Sequence, residues 1–362
     1  MQIVYRFEIH PTKEQQELMF HILKLCRKLY NYALNERQET YKETGKGLTY
    51  NQQQNTLPLF VKENPEYKQF HSQVLQDVLR RLESAYQRFF AKEAGYPRFK
   101  NRDHYSSFTY PQVDNVKKTF SRPGSVYLSK IGFVKMETHR EFPVETVTRV
   151  NVKYYGSKWY ANLTAEIPDV ATSGDLGKAV GIDVGLNHFA VLSDETYIDN
   201  PRYYRKMEKK LAKAQRRLSR KKKGSHNRGK AKAKVARVHA KIANQRRDFL
   251  HQASIRMVRS YDLIVMEDLK VRNMVRNHRL AKSIHDAGWG QFRNYIRYKC
   301  ERTGKLFIRV DPKGTSQTCL CGEHMLKDLR MRVHECPVCG LVMDRDLVSS
   351  KLILERGLRT IA

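Results

Sequence analysis

Three short acidic motifs lie far apart in this chain, and each borders a brief apolar run of strand length. They occupy residues 181–185 (GIDVG), 265–269 (VMEDL) and 344–346 (DRD). A carboxylate at the end of an apolar strand is costly to bury unless it is paired or binds a metal ion. We therefore expect the fold to place these acids next to cations, either as members of ion pairs or as ligands of bound metal ions.

Asp183, Glu267 and Asp346 are the candidate catalytic residues and Mg²⁺ ligands. Two divalent ions about 3.5–4 Å apart activate water and stabilise the leaving oxygen of a phosphodiester, and Mg²⁺ prefers oxygen ligands. Taken singly, each acid is better explained as a salt-bridged residue, but three such motifs together favour a two-ion site. In the third motif we favour Asp346 because it opens the closing helix, and we give Asp344 a supporting role.

The charge of the chain predicts a polyanionic partner. Its 362 residues include 68 Lys and Arg against 37 Asp and Glu, a net charge of +31. So large an excess repels itself unless a polyanion binds, and Lys and Arg bind nucleic-acid phosphates with release of counterions. Residues 202–247 hold twenty Lys and Arg against one acid. We interpret them as a helical hairpin that contacts phosphates through Lys209, Lys213, Arg216, Arg217 and Arg220.

Four of the six cysteines form two close pairs, each followed by glycine: Cys319, Cys321, Cys336 and Cys339. Four thiolates are typical of a structural, tetrahedral zinc site. The first pair is separated by one residue rather than two, so His324 or His334 is an alternative ligand. Cys26 and Cys300 are solitary, lie in helical patterns and are predicted to pack in cores.

Periodicity divides the first half of the chain into two modules. Residues 1–10 alternate like a strand, Thr12 and Gln15 fit a helix capping box, and residues 72–90 have helical spacing. A polar stretch at 51–55 separates the helices. Residues 106–167 return to a period of two, with a hairpin turn at Gly156-Ser157. A helical module thus spans residues 11–94, and a small β-barrel combines residues 1–10 and 95–172.

The second half of the chain has an α/β pattern. Residues 168–178 are typical of a linker. Predicted strands at 179–184, 188–192, 263–266 and 306–310 then alternate with helices at 284–302 and 346–358, which favours a layered α/β domain.

The chain shows no secretory signal and no apolar stretch long enough to span a bilayer. The sequence therefore predicts a cytoplasmic protein, associated with the nucleoid, and no membrane partner.

Together and in this order, these motifs resemble the TnpB family, compact RNA-guided DNA nucleases that insertion sequences encode and that are related to type V CRISPR effectors. The resemblance covers nearly the whole chain. It is carried by residues 95–100, 181–186, 265–269, 286–289, 315–319, 336–340 and 344–346, among others. It implies a multidomain α+β fold whose catalytic acids are Asp183, Glu267 and Asp346.

The resemblance also implies a domain plan. A β-barrel wedge domain (1–10 and 95–172) carries a helical recognition domain (11–94) as an insertion. An α/β RuvC-like (RNase H-type) nuclease domain follows (173–314 and 343–362); it includes the basic hairpin 202–247 and an inserted zinc ribbon that contacts target nucleic acid (315–342).

The partners implied by the resemblance are a guide RNA from the element's own end and double-stranded target DNA beside a short transposon-adjacent motif. The protein is expected to act as a monomer on the RNA. In the helical module, base contacts are assigned to polar side chains, for which ordinary surface is an equal interpretation: Tyr50, Gln54, Gln73 and Gln76. Tyr96, Arg98 and Phe99 could clamp nucleic acid, although core packing is favoured for the two aromatic rings.

Two departures from the family pattern keep other functions open. The first cysteine pair lacks one residue, and the third motif continues as Leu-Val-Ser-Ser after Asp346, where the family has Asp-x-Asn-Ala-Ala. One alternative is a nuclease-impaired, RNA-guided DNA-binding repressor of the same fold. A second is an RNA-independent transposase or recombinase, and a third is a zinc-ribbon RNA-binding protein without chemistry.

Overall fold

The structure, a computed structural model, describes residues 1–113, 115–172, 177–325 and 331–361. The chain divides into two compact units, Met1–Pro168 and Asp169–Ala362. The predicted linker at 168–178 spans this division. Its residues 173–176, and residues 326–330 of the predicted zinc module, lie outside the described residues.

The first unit contains a six-stranded antiparallel sheet. Its strands, in the spatial order β2-β5-β6-β1-β4-β3, are β1 (Gln2–His10), β2 (Ser107–Tyr110), β3 (Ser125–Leu128), β4 (Gly132–Glu137), β5 (Val147–Tyr155) and β6 (Lys158–Glu166). At the turn between β5 and β6, Gly156 and Ser157 have φ values of 62° and 73°. A two-residue hairpin turn of type I′ requires a positive φ at both of its central residues. The predicted turn is confirmed. Tyr110 at the end of β2 donates a hydrogen bond of 2.8 Å to the carbonyl of Ser129, just after β3.

The described part of the first unit also contains the α-helices α1 (Lys13–Thr44), α2 (Tyr50–Glu63), α3 (Ser72–Phe90) and α4 (Val116–Thr119). The capping box predicted at Thr12 and Gln15 is present. An equivalent box at Thr49 and Gln52 starts α2, so the stretch at 51–55, interpreted as a polar connection, is helical. Cys26 is fully buried among the apolar residues of α1, as predicted.

The second unit contains a five-stranded mixed sheet. Its strands, in the order β11-β10-β7-β8-β9, are β7 (Ala179–Val184), β8 (His188–Leu192), β9 (Tyr197–Asp199), β10 (Leu263–Glu267) and β11 (Leu306–Val310). β10 runs parallel to both β7 and β11, whereas β7, β8 and β9 are antiparallel neighbours. Parallel strands are normally covered on both faces, which explains why residues 263–266 form a continuous apolar run.

The described α-helices of the second unit are α5 (Tyr203–Ser219), α6 (His226–Ser260), α7 (Val271–Met274), α8 (Ala281–Ala287), α9 (Trp289–Thr303) and α10 (Arg345–Ile361). Of these, α6, α9 and α10 pack against the faces of the sheet. Ile264 and Met266 share a buried cluster with residues of α6 and α9. Leu263 and Val265, which alternate with them, share a cluster with Ile353 of α10. The α10 face and the α6–α9 face are therefore opposite sides of the sheet.

Three further features belong to the second unit. A single helix was predicted over 284–302, but Gly288 adopts the left-handed conformation with φ of 73° and separates α8 from α9. The antiparallel pair β12 (Val333–Glu335) and β13 (Val342–Asp344) precedes α10. Cys300 is fully buried, as predicted.

None of the helices in the described part of the chain combines the length and apolar character needed to cross a membrane.

Candidate active site and zinc site

The first two acids lie at the carboxyl ends of neighbouring parallel strands. Val265 pairs with Gly181 and Met266 with Ile182, so the next position along both strands places Glu267 beside Asp183. Side chains alternate between faces along a strand. Asp183 and Glu267 therefore lie on the same face as Gly181 and Val265, which is the face covered by α10.

α10 places the third acid beside the first two. It approaches β7 at Gly181, where an added Cβ would lie 2.6 Å from the backbone nitrogen of Leu354 and still closer to the carbonyl oxygen of Ser350. Only glycine leaves room for this approach. At the N-terminal end of α10, Asp346 Oδ2 lies 3.9 Å from the position of a Cβ on Gly185. Asp346 thus lies close to the end of β7 that carries Asp183.

The electrostatics of Asp183 reflect this convergence. Burial raises its pKa well above the ordinary value, and the nearby carboxylates of Glu267 and Asp346 raise it further, whereas Arg345 lowers it. Burial also raises the pKa of Glu267, and a hydrogen bond donated by the Thr315 hydroxyl partly offsets that effect. A cation that binds between such crowded carboxylates offsets the repulsion between their negative charges.

Arginine side chains neutralise Asp346. Arg345 Nη2 lies 3.0 Å from Asp346 Oδ1 and Arg332 Nη1 lies 3.5 Å from Oδ2. The neighbouring acid Asp344 has a different task, because its Oδ1 accepts the backbone N–H groups of Asp346 and Leu347 at 2.9 and 3.0 Å. Asp344 therefore caps α10, and Asp346 is the acid of this motif that faces the other two.

The three carboxylates do not form one tight set of ligand atoms. Among the described His, Cys, Asp and Glu residues, the four cysteines alone form a set whose ligand atoms all lie within 4.8 Å of one another. The three acids are therefore more widely spaced than ligands of a single closed site. Ligands that share two ions about 3.5–4 Å apart need not all touch the same ion, and an all-oxygen donor set fits Mg²⁺.

The four cysteines gather into a compact cluster. The Sγ atoms of Cys319 and Cys339 are 3.6 Å apart, and those of Cys321 and Cys336 are 3.7 Å apart. A disulfide would need about 2.05 Å, whereas four thiolates at about 2.3 Å from a tetrahedral zinc are separated by about 3.8 Å. Neither His324 nor His334 belongs to the cluster. Both Cys319 and Cys321 do, although only one residue separates them in the sequence.

Backbone geometry around the cysteines also fits zinc. Gly322 and Gly340, which follow the two pairs, have φ values of 94° and 71°, a conformation that favours glycine. The Cys339 N–H donates to Cys336 Sγ at 3.5 Å. This bond lowers the pKa of Cys336 to about 7, whereas burial raises that of Cys319 to about 12. A bound cation allows both to be thiolates together, and four protein ligands leave no open coordination position.

The basic segment forms a pair of helices. The phosphate-contact candidates lie on α5 and, for Arg220, directly after it. All of them are exposed: Lys209, Lys213, Arg216, Arg217 and Arg220. The pair has a small apolar contact of its own, centred on Leu211 of α5 and Val238 and Ile242 of α6. The exposed cations therefore lie on a surface that these apolar residues hold in place.

The base-contact candidates lie on α2 and α3 of the first unit. Tyr50 and Gln54 are half-buried on α2, and Gln73 and Gln76 are half-buried on α3. The Tyr50 hydroxyl accepts a hydrogen bond of 3.0 Å from Arg80 Nε. Gln73 Nε2 donates to Gln112 Oε1 at 3.0 Å. These contacts are compatible with either base recognition or an ordinary polar surface.

Several residues near the site were not predicted from the sequence. Thr315 and Arg332 reach the acids from the segments next to the cysteines, and only the three-dimensional fold shows it. Arg345 lies between two acids in the DRD motif, and that position could have identified it from the sequence as a residue of the site. Asp286 accepts the Tyr204 N–H at 3.0 and 2.9 Å and so caps α5; the 82-residue separation hides this contact in the sequence.

Three family profiles match the chain. Residues 163–278 match "Probable transposase", residues 289–353 match "Cas12f1-like, TNB domain", and residues 1–46 match "Helix-turn-helix domain". The last description differs from the local structure, because those residues comprise strand β1 and the single long helix α1.

Curated relatives extend over nearly the whole chain. "Putative RNA-guided DNA endonuclease" of Streptomyces pristinaespiralis is 36% identical and is aligned over 98% of this chain and 89% of its own. "Putative RNA-guided DNA endonuclease InsQ" of Escherichia coli (strain K12) is 33% identical over 98% of this chain and 92% of its own. "TnpB-like protein L79" of Acanthamoeba polyphaga mimivirus is 25% identical over 63% and 46%. The chain therefore belongs to the TnpB family.

Proposed function

We propose that this chain is an RNA-guided DNA endonuclease of an insertion sequence. It binds a guide RNA from the element's end and cuts target DNA beside a short transposon-adjacent motif by divalent-metal-dependent phosphodiester hydrolysis. The names of the two full-length relatives support the activity. The structural observation that carries the proposal is the meeting of Asp183, Glu267 and Asp346 on one face of a mixed sheet.

The fold supports assigning these acids to a RuvC-like domain. Ligands of α/β sheets bind beyond the carboxyl ends of parallel strands, and β7 and β10 carry Asp183 and Glu267 there. In the first unit, the Tyr110–Ser129 hydrogen bond links segments beside the two edge strands. That contact supports a barrel-like wedge domain, in which α1, α2 and α3 are the recognition insertion.

Asp183, Glu267 and Asp346 are the residues that would hold two Mg²⁺ ions, which when bound supply an activated water and stabilise the leaving oxygen. The protein's own contribution is to place the three carboxylates before the substrate arrives. The Thr315 hydroxyl orients Glu267, and the cap by Asp344 fixes the first turn of α10.

The altered third motif is compatible with an intact site. Ser349 and Ser350 replace the alanines of the family pattern and are buried, at 2% and 0% exposure. The Ser349 hydroxyl donates to the Arg345 carbonyl at 3.0 Å and the Ser350 hydroxyl to the Leu347 carbonyl at 2.8 Å. Buried hydroxyls are tolerated when they are hydrogen-bonded. Both hydroxyls bond within α10, so these two replacements leave the helix that carries Asp346 intact.

The remaining surfaces fit the proposed partners. The exposed cations of α5 would contact phosphates of the guide–target duplex or of the RNA scaffold, contacts that position a nucleic acid without reading its sequence. The cysteine cluster, with a structural zinc ion, would hold the ribbon that contacts target nucleic acid. Base contacts by α2 and α3 would recognise the adjacent DNA motif.

The test is guide-programmed plasmid cleavage. RNA that co-purifies with the protein is sequenced, and its variable end is matched to a plasmid that carries a randomised flank. We expect Mg²⁺-dependent cutting of the subset of plasmids with one flanking motif, and no cutting with EDTA or with Glu267→Ala. Equal behaviour of wild type and Glu267→Ala contradicts the nuclease assignment. Protein that purifies without RNA and joins DNA ends favours a transposase or recombinase instead.

A further inference from the structure

The C-terminal end of α3 and the loop after it carry a cluster of four aromatic rings, two of them exposed and two half-buried. Tyr86 and Tyr96 have ring centroids 5.7 Å apart, and Phe89 and Tyr96 are 5.3 Å apart. Phe90 stacks on Tyr86 at 6.1 Å. Phe90 is 71% exposed and Tyr96 is 45% exposed. Tyr86, Phe89, Phe90 and Tyr96 are called the aromatic platform below. The core packing favoured from the sequence for Tyr96 is therefore wrong.

The platform is held in place although it faces solvent. The hydroxyls of Tyr86 and Tyr96 are 3.0 Å apart and share a hydrogen bond. Asn31 of α1 fixes the end of the loop, because its side chain donates to the Lys100 carbonyl at 2.9 Å and accepts the Lys100 N–H at 2.7 Å. Pro97 is buried between these points. Rings ordered before binding lose little entropy when a ligand stacks on them.

The charge around the platform is strongly positive. Residues 84–102 contain five Lys and Arg and a single acid, Glu93. Glu93 Oε2 lies 3.8 Å from Arg88 Nε, so this acid pairs with one of the five cations. Lys92 and Arg98, on either side of Tyr96 in the sequence, are exposed. Exposed rings with a cationic surround are the combination with which proteins bind single-stranded nucleic acid, the rings taking the bases and the cations the phosphates.

We propose that the aromatic platform stacks unpaired bases of the guide RNA, an inference that rests on the proposed RNA-guided function. Bases inside a duplex already stack on their neighbours, so the ring faces fit only unpaired nucleotides. A permanently exposed apolar surface is an aggregation liability. The guide RNA covers it before any target is met, whereas a displaced DNA strand exists only during cleavage. The positive surround disfavours a basic or purely apolar protein partner.

Ultraviolet crosslinking of the purified protein–RNA complex tests this directly and needs no variant. Irradiation at a wavelength that bases absorb joins them to side chains in direct contact, and mass spectrometry locates the nucleotide adducts. We expect RNA adducts on residues 89–98. Adducts on the basic helix α5 but none on residues 89–98 overturn the inference while leaving the RNA-guided function standing. Protein that purifies without RNA contradicts both.

Binding measurements provide the second arm. Phe90→Leu keeps an apolar side chain but removes the stacking ring, and we expect it to weaken binding of the co-purified RNA, transcribed in vitro, by about 5- to 100-fold. Tyr41→Leu is the matched control, because Tyr41 is 62% exposed on α1 and lies outside the platform; it should change the affinity less than about twofold. A Phe90→Leu affinity within twofold of wild type, or an effect confined to single-stranded DNA of the same sequence, overturns the inference.

Discussion

Replacing Gly181 with alanine tests whether the packing of α10 on β7 sets the position of Asp346. The new Cβ would lie 2.6 Å from the Leu354 nitrogen, and closer still to the Ser350 carbonyl oxygen, whereas ordinary contact begins at 3.4 Å. Both atoms belong to the backbone of α10 and cannot rotate away. The helix must therefore move by at least about 0.8 Å, and overpacking of this kind costs about 1–3 kcal/mol of folding free energy.

That shift reaches the proposed catalytic acids. Asp346 lies in the first turn of α10, and a misplacement of about 1 Å can reduce a catalysed rate by about 100-fold. We expect Gly181→Ala to cut target plasmid about 100-fold more slowly than wild type in single-turnover assays. Zinc content and RNA affinity should stay unchanged, since neither depends on this contact.

Two glycines provide the controls. In Gly357→Ala, the added Cβ would lie 2.6 Å from Val265 Cγ1, so this variant also pushes α10 from the sheet, but at the end distant in sequence from Asp346. Gly290 on α9 has no atom within 4 Å of an added Cβ, and Gly290→Ala should leave stability and rate intact. If Gly181→Ala and Gly357→Ala lose stability equally and retain equal rates, the positioning argument is refuted.

Three further predictions concern charge and metal. Asp183→Asn should raise the unfolding temperature in EDTA at neutral pH, because a carboxyl whose folded pKa is raised destabilises the folded state once it ionises. The advantage should vanish below about pH 4, where the unfolded carboxyl is also protonated, and an Asn variant no more stable than wild type at pH 7 contradicts the electrostatics. Cys321→Ser should lower bound zinc, measured by elemental analysis, well below one per chain, whereas Cys300→Ala keeps it; retained zinc in Cys321→Ser would exclude that thiolate as a ligand. Replacing Arg216 and Arg220 together by alanine should reduce the slope of log affinity against log salt by about 1–2, since each lost phosphate contact removes about 0.7–0.9; an unchanged slope places the nucleic acid elsewhere.

The placement of Asp183 and Glu267 near the ends of strands was predictable because its signals are local. Short apolar runs ending in Asp183 and Glu267 indicate strands, and acids that end neighbouring parallel strands lie at one edge of a sheet. The sequence could not supply the register of β7 and β10, because pairing between residues 84 positions apart depends on how the whole unit packs. It favoured Asp346 over Asp344 but could not show what Asp344 does. Their roles differ only through the geometry of the helix cap.

The helices show where local patterns failed. Residues 51–55 were interpreted as a polar connection because all of them are Asn or Gln. However, the capping box that Thr49 forms with Gln52 marks a helix start as clearly as the one at Thr12. The break at Gly288 was missed because apolar spacing continues across it. Only the left-handed backbone there reveals that α8 and α9 are separate.

The loop at residues 95–100 shows how tertiary contacts override composition. Aromatic residues are more often buried than exposed, which favoured core packing for Tyr96 and Phe99. Asn31 reaches the loop from α1 and ties down its backbone, so Pro97 is buried while Phe99 is 53% exposed. No short-range pattern in the sequence encodes that anchor.

The most direct test of the central claim compares Asp346→Asn with Asp344→Asn in the plasmid cleavage assay. The two positions are two residues apart at the start of α10. Asparagine at 344 can still cap the helix, whereas asparagine at 346 removes the negative charge of a proposed metal ligand. Loss of the several kcal/mol of transition-state stabilisation that bound metal supplies corresponds to at least about 100-fold in rate. We therefore predict that Asp344→Asn cuts within a few-fold of wild type and that Asp346→Asn is at least about 100-fold slower. Equal rates for the two variants, or a larger loss in Asp344→Asn, would contradict a site built from Asp183, Glu267 and Asp346.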